Sequence, residues 1–388
     1  MKLNRTKTAG AAILAGALAL SLAACGSAAS PASPSSTDST TGSSSTTEPA
    51  TETSDAAVAL TGSLAGAGAS SQEKAMNGWV AGFGDTNPDV LLSYDPIGSG
   101  GGREQFLSGA THFAGSDAAL KPEEVEAATA RCFDSEPLQL PLYISPIAVI
   151  YNLPDLGVEN LQLSPATTAK IFNREIAKWN DPAIVAENPD ATLPDLDIIP
   201  VNRSDESGTT ENFTEWLAGA SDGAWPHEPS GDWPLSGGQS GAQTQGLIDT
   251  VTAAQGAIGY ADASRAGDLG TVAVKVGDAY VPYSAEAAAA VVDASPAAEG
   301  ATDKQLTIEL DRATTAAGAY PLVLISYSIA CSTYDNAEDA AKVKAFLSYV
   351  ASEEGQARAS DPTVAGSAPI SASLRASVEA AIASISAN

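Results

Sequence analysis

Histidine, methionine and cysteine are nearly missing from this chain: 2 His, 2 Met and 3 Cys among 388 residues. With only His112 and His227 to offer an imidazole, chemistry built on histidine clusters is excluded by count, and neither a metal nor a cofactor is expected. Cations are scarce as well, 19 Lys+Arg against 47 Asp+Glu, for a formal net charge of −28. Phosphate backbones are held by basic surface, so nucleic acid is not an expected partner. The apolar run over 11–22 is too short to be a comfortable membrane span. What the chain does have is glycine, 34 residues of it, and enough length for two ordinary domains with full cores. Such cores need no disulfide or metal to hold them.

The first 58 residues read as address and tether. Lys2, Arg5 and Lys7 precede the apolar run, which ends in Leu22-Ala23-Ala24-Cys25. Positive start, short apolar stretch and small residues before a cysteine form a bacterial lipoprotein signal over 1–24, with Cys25 as the acylated new N-terminus. Residues 26–55 contain only Gly, Ser, Thr, Ala, Pro, Asp and Glu. No side chain there can bury usefully, so 25–58 is expected to be a disordered tether to the cell membrane. Cys132 and Cys331 remain, and outside the cytoplasm an even pair is expected to form a disulfide.

From residue 59 onward helical and strand periods alternate, the pattern of an α/β fold. The periodicity predicts helices over 71–82, 103–107, 122–130, 165–178, 210–217, 245–254 and 337–353. Strands are expected over 90–94, 140–151, 198–201, 257–260 and 322–329. Two apolar runs stand out, LPLYISPIAVIY and PLVLISYSIA, each interrupted or bounded by Pro or Ser. They read as two crossover strands between lobes, which makes the first lobe discontinuous.

Four small-residue motifs follow strands and open helices. In AGAGASSQEKAM, Gly66 and Gly68 let a backbone approach closely, and Ser70 with Glu73 has the spacing of a capping box. Its helix start suits an anion or is an ordinary capped turn. PIGSGGGREQF offers Ser99 and three glycines, a second donor loop or a hinge. FAGSDAAL places Asp117 after a strand, as a cap for the helix near Lys121 or as part of a site. NRSDESGTTENFTEWL is the most specific: Arg203 supplies a planar fork of donors, and Ser207, Gly208 and Thr209 form a nest of N–H and O–H groups. Arg203 with Asp205 also reads as a surface ion pair. The segment LSGGQ imitates the signature of an ABC ATPase, but no G-x-x-x-x-G-K-[ST] loop accompanies it. It is taken as a glycine-rich surface loop.

In order and approximate spacing, GAGAS, IGSGGG, GSDAAL, IFNREIAKWNDP, RSDESGTT and GAIGYADA resemble the phosphate-binding subunit of the bacterial phosphate-specific ABC importer, over 64–371. Two departures are Ser71, where the family often carries an apolar residue, and Gly100, where it commonly has a second serine. The resemblance implies a two-lobed periplasmic-binding-protein-like fold of type II, hinged by the two crossover strands. It implies lobe I over 59–141 and 322–388 and lobe II over 142–321. It also implies phosphate contacts at Ala69, Ser70, Ser71, Ser99, Asp117, Arg203, Ser207, Gly208 and Thr209. The partners implied are inorganic phosphate and membrane permease subunits, for a monomer without enzymatic activity. Two other readings are a binding protein for another tetrahedral oxyanion and a secreted phosphoester hydrolase using Ser207 or Ser99. The second suffers from the lack of a G-x-S-x-G elbow and of a convincing base. Within an otherwise donor-rich site, the Asp117 carboxylate is expected to read the proton that phosphate keeps and sulfate lacks.

Overall fold

The computed structural model describes residues 59–153 and 156–388; the leader, Cys25 and the tether lie outside the described residues. The chain begins with β1 (Gly62–Gly68), α1 (Glu73–Thr86), β2 (Val90–Asp95), α2 (Ser99–Leu107), β3 (Phe113–Ser116), α3 (Pro122–Arg131) and β4 (Pro137–Tyr151). It continues through β5 (Asn160–Leu163), α4 (Pro165–Phe172), α5 (Pro182–Glu187), β6 (Ile199–Arg203), α6 (Gly208–Ala220), β7 (Gln239–Gly241) and α7 (Gln243–Ala253). Next come β8 (Ala257–Asp262), β9 (Gly270–Val276), β10 (Ala279–Val281), α8 (Ala285–Ala294) and β11 (Val323–Cys331). The last elements are β12 (Thr333–Tyr334), α9 (Ala337–Ala351), α10 (Glu353–Ser360), α11 (Ala372–Ala383) and β13 (Ser386–Ala387). Among the described residues no helix is long and apolar enough to cross a membrane.

The main sheet runs in the order β2-β1-β3-β11-β4-β8-β6-β7, a mixed sheet in which β1 is parallel to β2 and β3 and β6 is parallel to β7 and β8. The two long apolar runs are β4 and β11, paired antiparallel at its centre and buried along their full length. Burial on both faces explains why they are continuously apolar rather than alternating. Residues 137–146 of β4 pair with β11, and 147–151 pair with β8. One strand therefore serves both halves of the sheet without a break.

A central strand should not contain proline, which cannot donate to the ladder. β4 contains three, each where a donor is dispensable. Pro137 is its first residue, Pro141 faces Tyr327 beside a register shift, and Pro146 is the last residue paired with β11 before the partner changes.

Most helices form where the periodicity places them, with two differences in extent and two in capping. The helix expected over 165–178 stops at Phe172, because Arg174 takes a left-handed conformation at φ 64°. The helix expected over 337–353 is interrupted at Ser352, whose extended backbone ends α9 while its hydroxyl caps α10. The Ser70–Glu73 capping box does not form: Gln72 precedes α1 with no side-chain cap, and Ser70 bonds elsewhere. Nor does Asp117 cap α3, since Lys121 is its N-cap and the Glu124 carboxylate accepts the Lys121 N–H at 2.9 Å.

Cys132, at the end of α3, and Cys331, at the end of β11, form the expected disulfide across 199 residues of sequence. Replacing both by alanine is expected to lower the unfolding free energy by about 2–5 kcal/mol in urea titrations. An unchanged urea midpoint would show that the fold does not depend on this link.

Candidate functional site

The four small-residue motifs meet in space. Asp117 follows β3 and is buried, and its two carboxylate oxygens are held from opposite sides. The Ser71 hydroxyl donates to Oδ1 at 2.7 Å and the Thr209 hydroxyl donates to Oδ2 at 2.9 Å. The Asp117 N–H donates to Ser99 Oγ at 3.1 Å, and Asn212 Nδ2 donates to the Asp117 carbonyl at 2.7 Å. Burial pushes the Asp117 carboxyl above its ordinary range, against the pull of these hydroxyl donors and of the Arg203 charge.

Glycine is required at 208 for this approach. A Cβ there would lie 2.7 Å from Asp117 Cβ and 2.8 Å from Ser99 Oγ. Glycine at 98 has a related role: at φ 98° it leads into α2, and a Cβ would lie 2.6 Å from Asp205 Oδ2. The three glycines after Ser99 are helical rather than a hinge. Gly102 packs against the backbone of Gly68 and Gly100 against the Glu206 side chain. The glycines of the first motif also answer to neighbours, Gly66 to the Phe113 ring and Gly68 to the Gly115 carbonyl.

Helix starts surround Asp117. The N–H groups at the first positions of a helix have no carbonyl partner within it, and they carry partial positive charge. Ser99, Gly100 and Gly101 open α2, and Gly208 and Thr209 open α6 behind Ser207, whose hydroxyl accepts the Thr210 N–H at 3.2 Å. Ser70, Ser71, Ser99, Ser207 and Thr209 are all buried. Ala69 is buried beside them, but its N–H donates to the Gly115 carbonyl and its own carbonyl accepts the Tyr94 hydroxyl.

Arg203 ends β6 and is only 3% exposed. It does pair with Asp205, yet inside the protein rather than on the surface: Arg203 Nε donates to Oδ1 at 2.8 Å and Nη2 to Oδ2. Burial alone would raise the Asp205 carboxyl, but the Arg203 bonds and charge, with the Gln243 N–H, hold it below its ordinary range. Two residues escape sequence reasoning, Gln243 and Thr244 at the start of α7. Ser70 Oγ accepts the Thr244 N–H at 3.0 Å and lies 3.0 Å from its hydroxyl. Their signal was weak, an unremarkable AQTQ after a three-residue strand.

The remaining candidates lie apart from this cluster. His112 accepts the Ala65 N–H beside β1, and His227 packs edge-on against Trp225 and meets Asn173. Among the described residues, neither imidazole is hydrogen-bonded to Ser99 or Ser207. LSGGQ is a largely exposed loop leading into β7.

A cavity of about 920 Å³ adjoins Asp117 on its other side, lined among others by Glu211, Asn212, Glu215, Arg312 and Tyr327. Its volume invites a ligand, but its carboxylates suit an anion poorly. The donors that do suit one converge on the helix starts instead. Within this acidic wall, burial first, then the charges of Glu215 and Glu206, push Glu211 up to about 7, opposed by Arg103 and Lys121.

A carboxyl raised on folding binds its proton more tightly in the native state, so stability falls as pH rises from about 4.3 toward 7. Glu211→Gln removes the charged form and is expected to raise the melting temperature at pH 8 by roughly a few degrees. The gain should shrink toward pH 5 in calorimetry. A gain independent of pH would assign it to packing instead.

With the geometry in hand, comparison with known proteins is informative. A family model described as a PBP superfamily domain matches residues 33–354. Phosphate-binding protein PstS2 of Mycobacterium bovis (strain BCG / Pasteur 1173P2) is 34% identical over 329 residues, covering 83% of this chain and 87% of the relative. Phosphate-binding protein PstS 3 of Mycobacterium tuberculosis (strain ATCC 25618 / H37Rv) is 34% identical over 353 residues, 89% of this chain and 90% of the relative. Among solved structures, a high-affinity periplasmic phosphate-binding protein bound with phosphate aligns with a TM-score of 0.65 at 19% identity, over 82% of this chain and 93% of its own. A phosphate-binding protein from Stenotrophomonas maltophilia aligns with a TM-score of 0.63 at 19% identity and the same coverage, 82% and 93%. At such identities the structures speak for the fold, a two-lobed architecture of the binding-protein type.

Proposed function

This chain belongs to the PBP superfamily and, within it, to the PstS phosphate-binding proteins; on that premise we propose that it captures inorganic phosphate and hands it to the permease subunits of a membrane ABC importer. It acts by binding and release rather than by catalysis. Residues 59–141 with 322–388 form one lobe and 142–321 the other, joined by β4 and β11 and closing on the anion. Cys25, acylated, anchors the protein to the outer face of the cell membrane, and the tether lets a monomeric body move beside the permease.

The observation that carries this reading is a buried carboxylate, Asp117, set among serine and threonine hydroxyls and two helix starts. Asp117 sits between Ser71 and Thr209, with the openings of α2 and α6 around it. The Arg203 N–H groups that Asp205 leaves free, the backbone N–H groups of Ser71 and Thr209, whose hydroxyls serve Asp117, and the groups of Ser70, Ser99, Ser207 and Gly208 supply the hydrogens that phosphate oxygens accept. Ala69 sets the position of this loop through its bonds to Gly115 and Tyr94. Asp117 accepts the P–OH proton, and its raised proton affinity favours sharing that proton. Sulfate, with no proton near neutral pH, would face the carboxylate charge unpaired.

Asp117→Asn is expected to reduce the preference for phosphate over sulfate by at least about a hundredfold, because a site built around one such bond discriminates by 10⁴ or more. Titration calorimetry with the two anions checks it; an unaltered ratio removes Asp117 from selectivity. Arg203→Ala is expected to weaken phosphate binding by well over tenfold, more than about 1.4 kcal/mol. A smaller loss in the same titration would place Arg203 outside the contact set.

A further inference from the structure

The fourth motif carries a glutamate that the phosphate reading does not use. Glu206 lies between Asp205 and Ser207, in the loop joining β6 to α6. Its Oε1 accepts a hydrogen bond from Arg103 Nη2 at 2.8 Å. Arg103 lies on α2, one turn after Ser99, and only 2% of it is exposed.

The other bonds of this guanidinium all go to its own side. Nε donates to both oxygens of Glu124 at 3.1 and 3.0 Å, and Nη1 donates to the Ser116 hydroxyl at 3.0 Å. Arg103 is therefore fixed whether or not Glu206 is present. Glu206, by contrast, reaches across from the β6–α6 side and meets it there.

The Glu206 carboxylate has a slot made by two glycines. A Cβ on Gly100 would lie 2.1 Å from Oε2, and one on Gly231 would lie 2.7 Å from Oε1. Gly100 is the position where the resembled family commonly has serine, and a serine there would collide with Glu206. The absence of a side chain at 100 and the position of Glu206 thus fit one another.

We propose that Arg103 and Glu206 form a cross-cleft latch, with Glu206 as a positioning residue that holds the Ser207-Gly208-Thr209 nest against Ser99 and Asp117 and so slows release of phosphate. The proposal rests on the phosphate-binding, two-lobe reading given above. The Arg103–Glu206 pair is 2% and 24% exposed, and a second cross-cleft pair, Arg265 with Glu73 at 3.1 Å, is more open at 13% and 32%. Exposed pairs are screened and contribute little, whereas truncating one partner of a buried hydrogen-bonded pair acts strongly on dissociation. The two sides also differ in what parting would do. Separation leaves Arg103 with Glu124 but leaves Glu206 without its cation, near Glu211, whose carboxyl its charge already raises.

Stopped-flow phosphate release and amide hydrogen exchange test the latch on the full chain. Glu206→Ala is expected to accelerate release about tenfold or more while association changes far less, since interface truncations act mainly on dissociation. In phosphate-free protein, exchange should quicken at 97–103 and at 205–210, leaving β4 and β11 protected. Glu206→Gln, which keeps shape without charge, should fall between wild type and alanine. Gly100→Ser, which leaves Glu206 in place but fills its slot, should reproduce the faster release. Release and exchange both at wild-type rates in Glu206→Ala would overturn the proposal. A wild-type chain that binds no phosphate would instead sink the functional reading, and the exchange measurement would still decide the latch.

Discussion

Much of this structure depends on one buried carboxylate. A carboxylate taken out of water is costly unless donors surround it, and Asp117 gathers them from two directions. Ser71 comes from the turn before α1, Thr209 from the first turn of α6, and Ser99 from α2 takes the Asp117 N–H. Satisfying this group forces the β3 end, α2 and α6 together. That approach in turn leaves no room for a side chain at Gly208. The site is assembled by the need to solvate an acid that water no longer reaches.

The same constraint resolves how so negative a chain presents itself to an anion. The formal charge of −28 is spread over surface acids, and salt screens exposed charges beyond about 8–10 Å. In the proposed site the donors act at contact distance, through helix starts, hydroxyls and one arginine. Even the arginine is tempered, because Asp205 neutralises it from behind and fixes its fork. Of the nearby acids, Glu211 and Glu215 line the neighbouring cavity, and Glu206 is bonded to Arg103.

What the sequence disclosed, and what it hid, follows from the range of the forces involved. β4 and β11 were legible because burial on both faces writes itself as an unbroken apolar run. The site motifs were legible because small residues between strand and helix are locally unusual, and Asp117 stood out as an acid among donors. The Ser70 capping box misled because a local spacing rule yields to a long-range partner, Thr244, 174 residues away. Gly100 read equally as donor loop or hinge because its reason lies in Glu206, outside its own motif. β1, rich in glycine, gave almost no strand signal, since its stability comes from the strands on either side of it. α4 ended early at Arg174, where a backbone conformation overrides a favourable periodicity.

The prolines of β4 have a consequence beyond satisfying the ladder. An opened strand ordinarily presents bare N–H groups, which invite pairing with any extended chain nearby. At Pro146, where β4 changes partner, there is no N–H to present. Flexing at that point uncovers fewer donors than it would with any other residue, so the strand bends without becoming adhesive. A joint that resists aggregation through its own covalent structure needs no further guard.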